Sequence, residues 1–167
     1  MDQNDVVYTI ENQCLFLKML GSIRHTVCSN LDALTRKVIK QDEVDKFVID
    51  LRETTYLDST SLGIIARMAR YAKGKSGQKI VLVSINEDVN QILNSEQFGS
   101  IAKIVENWDK LPEKYFKSEL FLKEKIPDRD LLIESHQELA KINEDNRKKF
   151  TAVIESLEKK YKKKNKK

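Results

Sequence analysis

Between Lys46 and Ala69 the chain passes from a continuous apolar run to a helical repeat, across a turn built almost wholly from hydroxyls and one acid. Lys46-Phe47-Val48-Ile49-Asp50-Leu51 has strand character, and Leu62, Ile65, Ala66 and Ala69 recur at helical spacing. Leu57-Asp58-Ser59-Thr60-Ser61 must therefore open a helix, with Asp58 or Ser59 as its N-cap. A helix start has N–H groups without intrahelical partners and a partial positive charge, so it tolerates a phosphate well. Small residues at Ser59, Ser61 and Gly63 would let another protein come close enough to reach a hydroxyl. Strings of this kind do nothing more than cap in most proteins, and local physics alone favours that plainer reading.

The flanking sequence continues the alternation of strand and helix. Val6 to Ile10 and Cys14 to Leu20 read as two strands with Asn12 in a hairpin turn, and Gly21 closes the second. Thr26 to Lys40 is amphipathic through Leu31, Leu34, Val38 and Ile39. Gly74 to Gly77 predicts a turn into the strand Lys79 to Val83. Asp88 to Phe98 predicts a helix with Val89, Ile92 and Leu93 inward, and Ala102 to Val105 a last short strand. Such an order implies an α/β domain, with one mixed sheet of about five strands covered mainly on one side by helices.

Over residues 1–112 this order resembles the STAS domain, the sulfate transporter and anti-sigma factor antagonist family. The family's signature is an apolar strand, a few polar residues, then Asp-Ser-Ser/Thr-Gly-Leu/Ile-Gly opening a helix. Here it reads Phe47-Val48-Ile49-Asp50-Leu51 and then Leu57-Asp58-Ser59-Thr60-Ser61-Leu62-Gly63. Ser61 stands where the family's first motif glycine does, which a first helical turn tolerates. Arg24 stands where anti-sigma factor antagonists usually carry an acid; it either pairs with Asp58 or a phosphate through its planar fork, or simply extends into solvent.

The resemblance implies a phosphorylation-controlled protein-binding regulator in a bacterial partner-switching pathway, acting in transcriptional regulation. Ser59 would be phosphorylated by a serine kinase of the anti-sigma type and reset by a metal-dependent serine phosphatase, with Thr60 as the alternate acceptor. The partner would meet Asp58, Ser59, Thr60, Ser61, Leu62, Gly63 and Ile64, together with the loop Gly21, Ser22, Ile23 and Arg24. Asp58 is expected to matter more for phosphorylation or docking than for folding. The alternative is a STAS scaffold that assembles through its C-terminal helix, its serine unmodified; a weaker third reading is a module that holds a small lipid or nucleotide.

No apolar run approaches the roughly 20 residues needed to span a bilayer, and no signal pattern opens the chain, so a cytoplasmic protein is expected. Cys14 and Cys28 lack metal-ligand spacing and read as reduced core thiols. His25 and His136 have no neighbouring acid and nucleophile, and a surface or interface role is expected for both. There is no Gly-rich phosphate loop with Lys, no paired His and no nucleophile-base-acid order, so neither catalysis nor a cofactor nor a metal has a sequence warrant.

Residues 113–127 read as a charged and aromatic connector around Tyr115, Phe116 and Phe121, punctuated by Pro127. Beyond it, Leu132, Leu139, Ile142, Phe150, Val153 and Leu157 fall near the helical period, with Asn146 and Lys149 interrupting. Residues 128–158 are therefore read as an amphipathic extension that forms a homodimer or meets a target, or else packs back on the domain. The end, 159–167, holds seven lysines and no acid and reads as a disordered tail. The chain carries +4 in all, so without those lysines the body is about −3, and nucleic acid is an improbable partner.

Overall fold

The computed structural model describes residues 4–117 and 128–165. The first two strands, β1 (Asp5–Glu11) and β2 (Cys14–Ile23), form a hairpin whose turn residues Asn12 and Gln13 both have positive φ, at 51° and 63°. Two such residues give the turn a twist that matches the strands it joins. There follow α1 (His25–Gln41), β3 (Lys46–Asp50), β4 (Thr54–Leu57), α2 (Ser59–Ser76), β5 (Ile80–Val83), α3 (Glu87–Ser95) and β6 (Ala102–Val105). The short β7 (Phe116–Lys117) then returns to pair with β1.

Among the described residues one mixed sheet has the order β6-β5-β3-β2-β1-β7, with β4 pairing the far end of β2. Strands β2, β3, β5 and β6 run parallel, while β1 is antiparallel to β2 and β7 to β1. Alternation along the strands separates two faces. Leu15, Leu17 and Met19 of β2, Phe47 and Ile49 of β3, and Leu82 of β5 point into the main core under α1 and α2. Cys14, Phe16, Val48, Val81 and Val83 point the other way, where Trp108, Leu111 and Tyr115 lie over them. Helices thus cover one face, and the irregular segment after β6 covers the other. Both cysteines are free and buried; burial pushes the Cys14 thiol up to about 11, and raises that of Cys28 further.

Two local expectations change. Gly21 does not close β2. At φ 73° it sits where the register shifts between Gly21 and Ser22, and the strand runs on to Ile23 beside β4. A glycine accepts that backbone without Cβ strain, so the strand can bend and change partner. Gly74, placed in a turn by the sequence, lies inside α2; the helix ends at Gly77, which takes the left-handed conformation (φ 73°) and donates its N–H to Lys73.

Residues 128–158 do not form one long helix. Helix α4 (Asp128–Ala140) and helix α5 (Glu144–Asn165) are separated by a break at 141–143, and α5 carries helical backbone through most of the lysine-rich end. Asn143 starts α5 by accepting from the N–H of Asn146 through Oδ1 at 2.9 Å. Asn146, which breaks the apolar stripe in sequence, is buried and donates to the Glu96 carbonyl at 3.1 Å. Leu131, Leu139 and Phe150 are buried in this chain's own core, while Val153 is 40% exposed. The expected connector from 118 to its end at 127, including Phe121 and Pro127, lies outside the described residues, as do 166 and 167.

Candidate functional site

Strand β4 ends at Leu57, and its pairing with Ser22 and Ile23 sets the start of α2 beside the start of α1. Asp58 lies between them. As the N-cap of α2, it accepts the Ser61 N–H on Oδ1 at 2.9 Å. Its Oδ2 accepts the His25 N–H, the first of α1, at 2.6 Å. Arg24, the N-cap of α1, makes no side-chain cap of its own, so one carboxylate serves two helix starts. Both are positive dipole ends, which is where a fixed negative charge is stabilised.

Ser59, the first residue of α2, is half-buried, and its hydroxyl lies 3.1 Å from Nε2 of His136 on α4. The other ring nitrogen, Nδ1, is 2.7 Å from the Leu132 carbonyl, which can only accept. Nδ1 therefore carries the proton, and in the neutral ring Nε2 accepts the Ser59 hydroxyl. The His136 ring also packs edge-on to Phe150, with centroids 5.7 Å apart. His136 is thus buried within the chain, whereas His25 is exposed.

Much of the expected contact set is interior. Ile23, Thr60, Ser61, Leu62, Gly63 and Ile64 are buried; Gly21 and Ser22 are half-buried, and Arg24 is exposed. Arg24 does not pair with Asp58. Its Nε donates to Ser22 Oγ at 3.0 Å and its guanidinium lies 4.3 Å from the centre of the Tyr56 ring. Thr60, the alternate acceptor, is only 2% exposed, so Ser59 is the more accessible hydroxyl.

Helix α4 packs across α2 at the motif. A Cβ on Gly63 would stand 2.2 Å from the Ser135 carbonyl oxygen, so only a glycine permits this approach. Charged groups flank the crossing. Arg70 grips Glu138 with two hydrogen bonds of 2.9 and 2.6 Å, and Arg36 joins Asp32 at 2.7 Å and also Glu134. Arg67, pushed down by burial, pairs with Asp32 at 2.8 Å. Burial alone would raise the Glu138 carboxyl, yet its bonds to Arg70 and its closeness to Lys141 hold it below its ordinary value. Among the described residues no group of three metal-ligating side chains comes together, and no helix is long and apolar enough to cross a membrane.

The surface or interface role expected of His136 gives way to a buried one, and sequence reasoning missed Ser135 and the acids Glu134 and Glu138 of α4. The visible hint was charge: Glu134 and Glu138 share one helix face four residues apart, as Arg67 and Arg70 do three apart.

The STAS domain family model matches residues 5–111. A STAS-domain containing protein of Pseudomonas aeruginosa strain UCBPP-PA14 is 37% identical over 59 residues, 35% of this chain; the match spans 57% of that relative's length. The fold is similar to that of the anti-sigma factor antagonist SpoIIAA in its unphosphorylated form. The TM-score is 0.50 at 12% identity, covering 63% of this chain and 87% of that one. It is similar also to a candidate anti-sigma factor antagonist of Thermotoga maritima, with a TM-score of 0.50 at 24% identity, covering 60% and 85%.

Proposed function

This chain belongs to the STAS domain family, and from that premise we propose that it is a phosphorylation-controlled protein-binding regulator of the anti-sigma factor antagonist kind, with Ser59 as its phosphoacceptor. The observation that carries the reading is the placement of Ser59. It directly follows an aspartate that caps two helices, it opens α2, and it is the more accessible of the first two hydroxyls there. A phosphate on Ser59 would add about −2 charge beside Asp58, partly offset by two helix dipoles. The helix ends make the modified residue tolerable to the fold; the added charge alters what can dock there.

Unmodified, the protein would bind a serine kinase of the anti-sigma type, or another target, through the exposed rim around Ser59 formed by Arg24, His25 and Tyr56. Phosphorylation would eject that partner by repulsion and by the cost of desolvating the phosphate, and a metal-dependent serine phosphatase would restore binding. Description of the SpoIIAA neighbour as an unphosphorylated form of an anti-sigma factor antagonist is consistent with this chemistry.

Mass spectrometry of the protein from its own cells tests the reading. Trypsin releases Glu53 to Arg67 as one peptide, which should gain or lose one phosphate on Ser59 with growth condition; Ser59→Ala should abolish labelling by the cognate kinase. Equal labelling of the Ala variant would refute the assignment. A constant unmodified mass within a large assembly would favour the scaffold instead.

A further inference from the structure

We propose that α4 and α5 form a reversible intramolecular cover over the Ser59 face, and that the cover must lift before a kinase can reach the hydroxyl. The inference rests on Ser59 being the phosphoacceptor. To accept a phosphoryl group, Ser59 Oγ must line up with a nucleotide's terminal phosphate, with room for the kinase around it. Here that oxygen is half-buried and bonded to His136 of α4. With α4 in place the acceptor is occupied by its own chain.

Three observations make the cover separable from the domain. First, the family match ends at residue 111, and the sheet already has α1 and α2 on its helical face; α4 packs on α2, outside that layer. Second, the α2–α4 contact is rich in charge. Arg70–Glu138 and Arg36–Glu134 flank the crossing, and the side chains of Arg70, Arg36 and Glu134 are 57%, 37% and 44% exposed, with Glu138 at 10%. Partly exposed pairs contribute little net stability and give way to solvent readily. Third, the crossing itself is incompletely satisfied, since Ser135 Oγ is buried without a hydrogen-bond partner. A cover that can open is expected to have such a contact beside its apolar anchors, which here are Leu131, Leu139 and Phe150.

His136 is the point at which cover and site communicate. Its ring is oriented by the Leu132 carbonyl on the same helix, so it leaves Ser59 when α4 leaves. Opening frees the hydroxyl and exposes Gly63 with its flanking arginines in one movement.

The test needs no kinase. Ser59→Cys places a thiol at the site, and the native Cys14 and Cys28 are buried, with thiols shifted toward the unreactive protonated form. We expect the introduced thiol to react slowly with a water-soluble disulfide reagent in the folded full chain. Adding Glu134→Ala and Glu138→Ala should speed it roughly tenfold, mostly through loss of the two charged hydrogen bonds from Arg70 to the nearly buried Glu138. Hydrogen exchange should show α4 and α5 amides opening together, faster than those of β2, β3 and β5, and accelerated in the same variant. Glu134→Ala alone, a change at a half-exposed side chain, gives a milder version should the double change unfold the chain.

Reagent reaction at the rate of a free thiol in every variant would show an open site and overturn the cover. Exchange of α4 only together with the sheet would show a permanent layer and overturn it equally. Absence of phosphate on Ser59 in cells would count against the proposed function alone, because these two readings would still decide whether the cover opens.

Discussion

Gly63→Ala puts the close approach of α4 to α2 to the test. The added Cβ would sit 2.2 Å from the Ser135 oxygen and 2.5 Å from both its carbonyl carbon and its Cα, against an ordinary contact of 3.4–4 Å. All three are backbone atoms, so no rotamer change relieves the clash, and α4 must retreat by about 1 Å or more. Two energies then oppose each other. Alanine in a helix interior is favoured over glycine by roughly 0.5–1 kcal/mol, which stabilises α2. Overpacking costs typically about 1–3 kcal/mol, and the retreat also strains the Ser59–His136 and Arg70–Glu138 bonds, both of which cross this contact. The first acts equally with α4 docked or undocked, so docking itself should weaken by about 1–3 kcal/mol while the sheet stays intact. Hydrogen exchange by mass spectrometry reads both parts at once: α4 protection should fall roughly tenfold, with β2, β3 and β5 unchanged. Unchanged or increased α4 protection would refute this packing of α4 on α2.

Asp58→Ala should lower the melting temperature by roughly 5–16 °C, since it removes a cap worth about 1 kcal/mol and a charged hydrogen bond to His25 worth about 1.5–3 kcal/mol. Asp58→Asn should cost about half as much, and a fall below 2 °C for the Ala variant would support the expectation that Asp58 matters more for phosphorylation or docking than for folding. Glu138 gives a pH dependence. Its carboxyl is held below the ordinary 4.5, so its contribution is full above that value and is lost as pH falls through the lower folded value. Hydrogen exchange of α4 should therefore accelerate below about pH 4 relative to that of the sheet, and Glu138→Gln should flatten the difference; an unchanged pH profile in that variant would assign the effect to another group.

The sequence by itself determined the domain. Short apolar runs in β2, β3 and β5 and helical spacing in α1 and α2 marked the elements, because a run apolar on both faces suits an inner strand and a one-sided stripe suits a covering helix. Asp58-Ser59 was legible as a helix start for the same local reason: N-caps act within three residues. Strand β4 was not legible, because Thr54-Thr55-Tyr56-Leu57 has too little apolar alternation and pairs only where the Gly21 bulge turns β2 toward it. The break between α4 and α5 was written in Asn143-Glu144-Asp145, a capping residue followed by acids, but an apolar stripe running through it obscured the stop.

What only the tertiary structure decided is who occupies the Ser59 face. His136 reaches Ser59 across 77 positions of chain, and Gly63 meets Ser135 across 72. Nothing local distinguishes a stripe that covers its own domain from one that seeks a partner, because burial of apolar surface has no direction. The choice was made by backbone-to-backbone fit at one glycine and by matched charges on helices far apart in sequence.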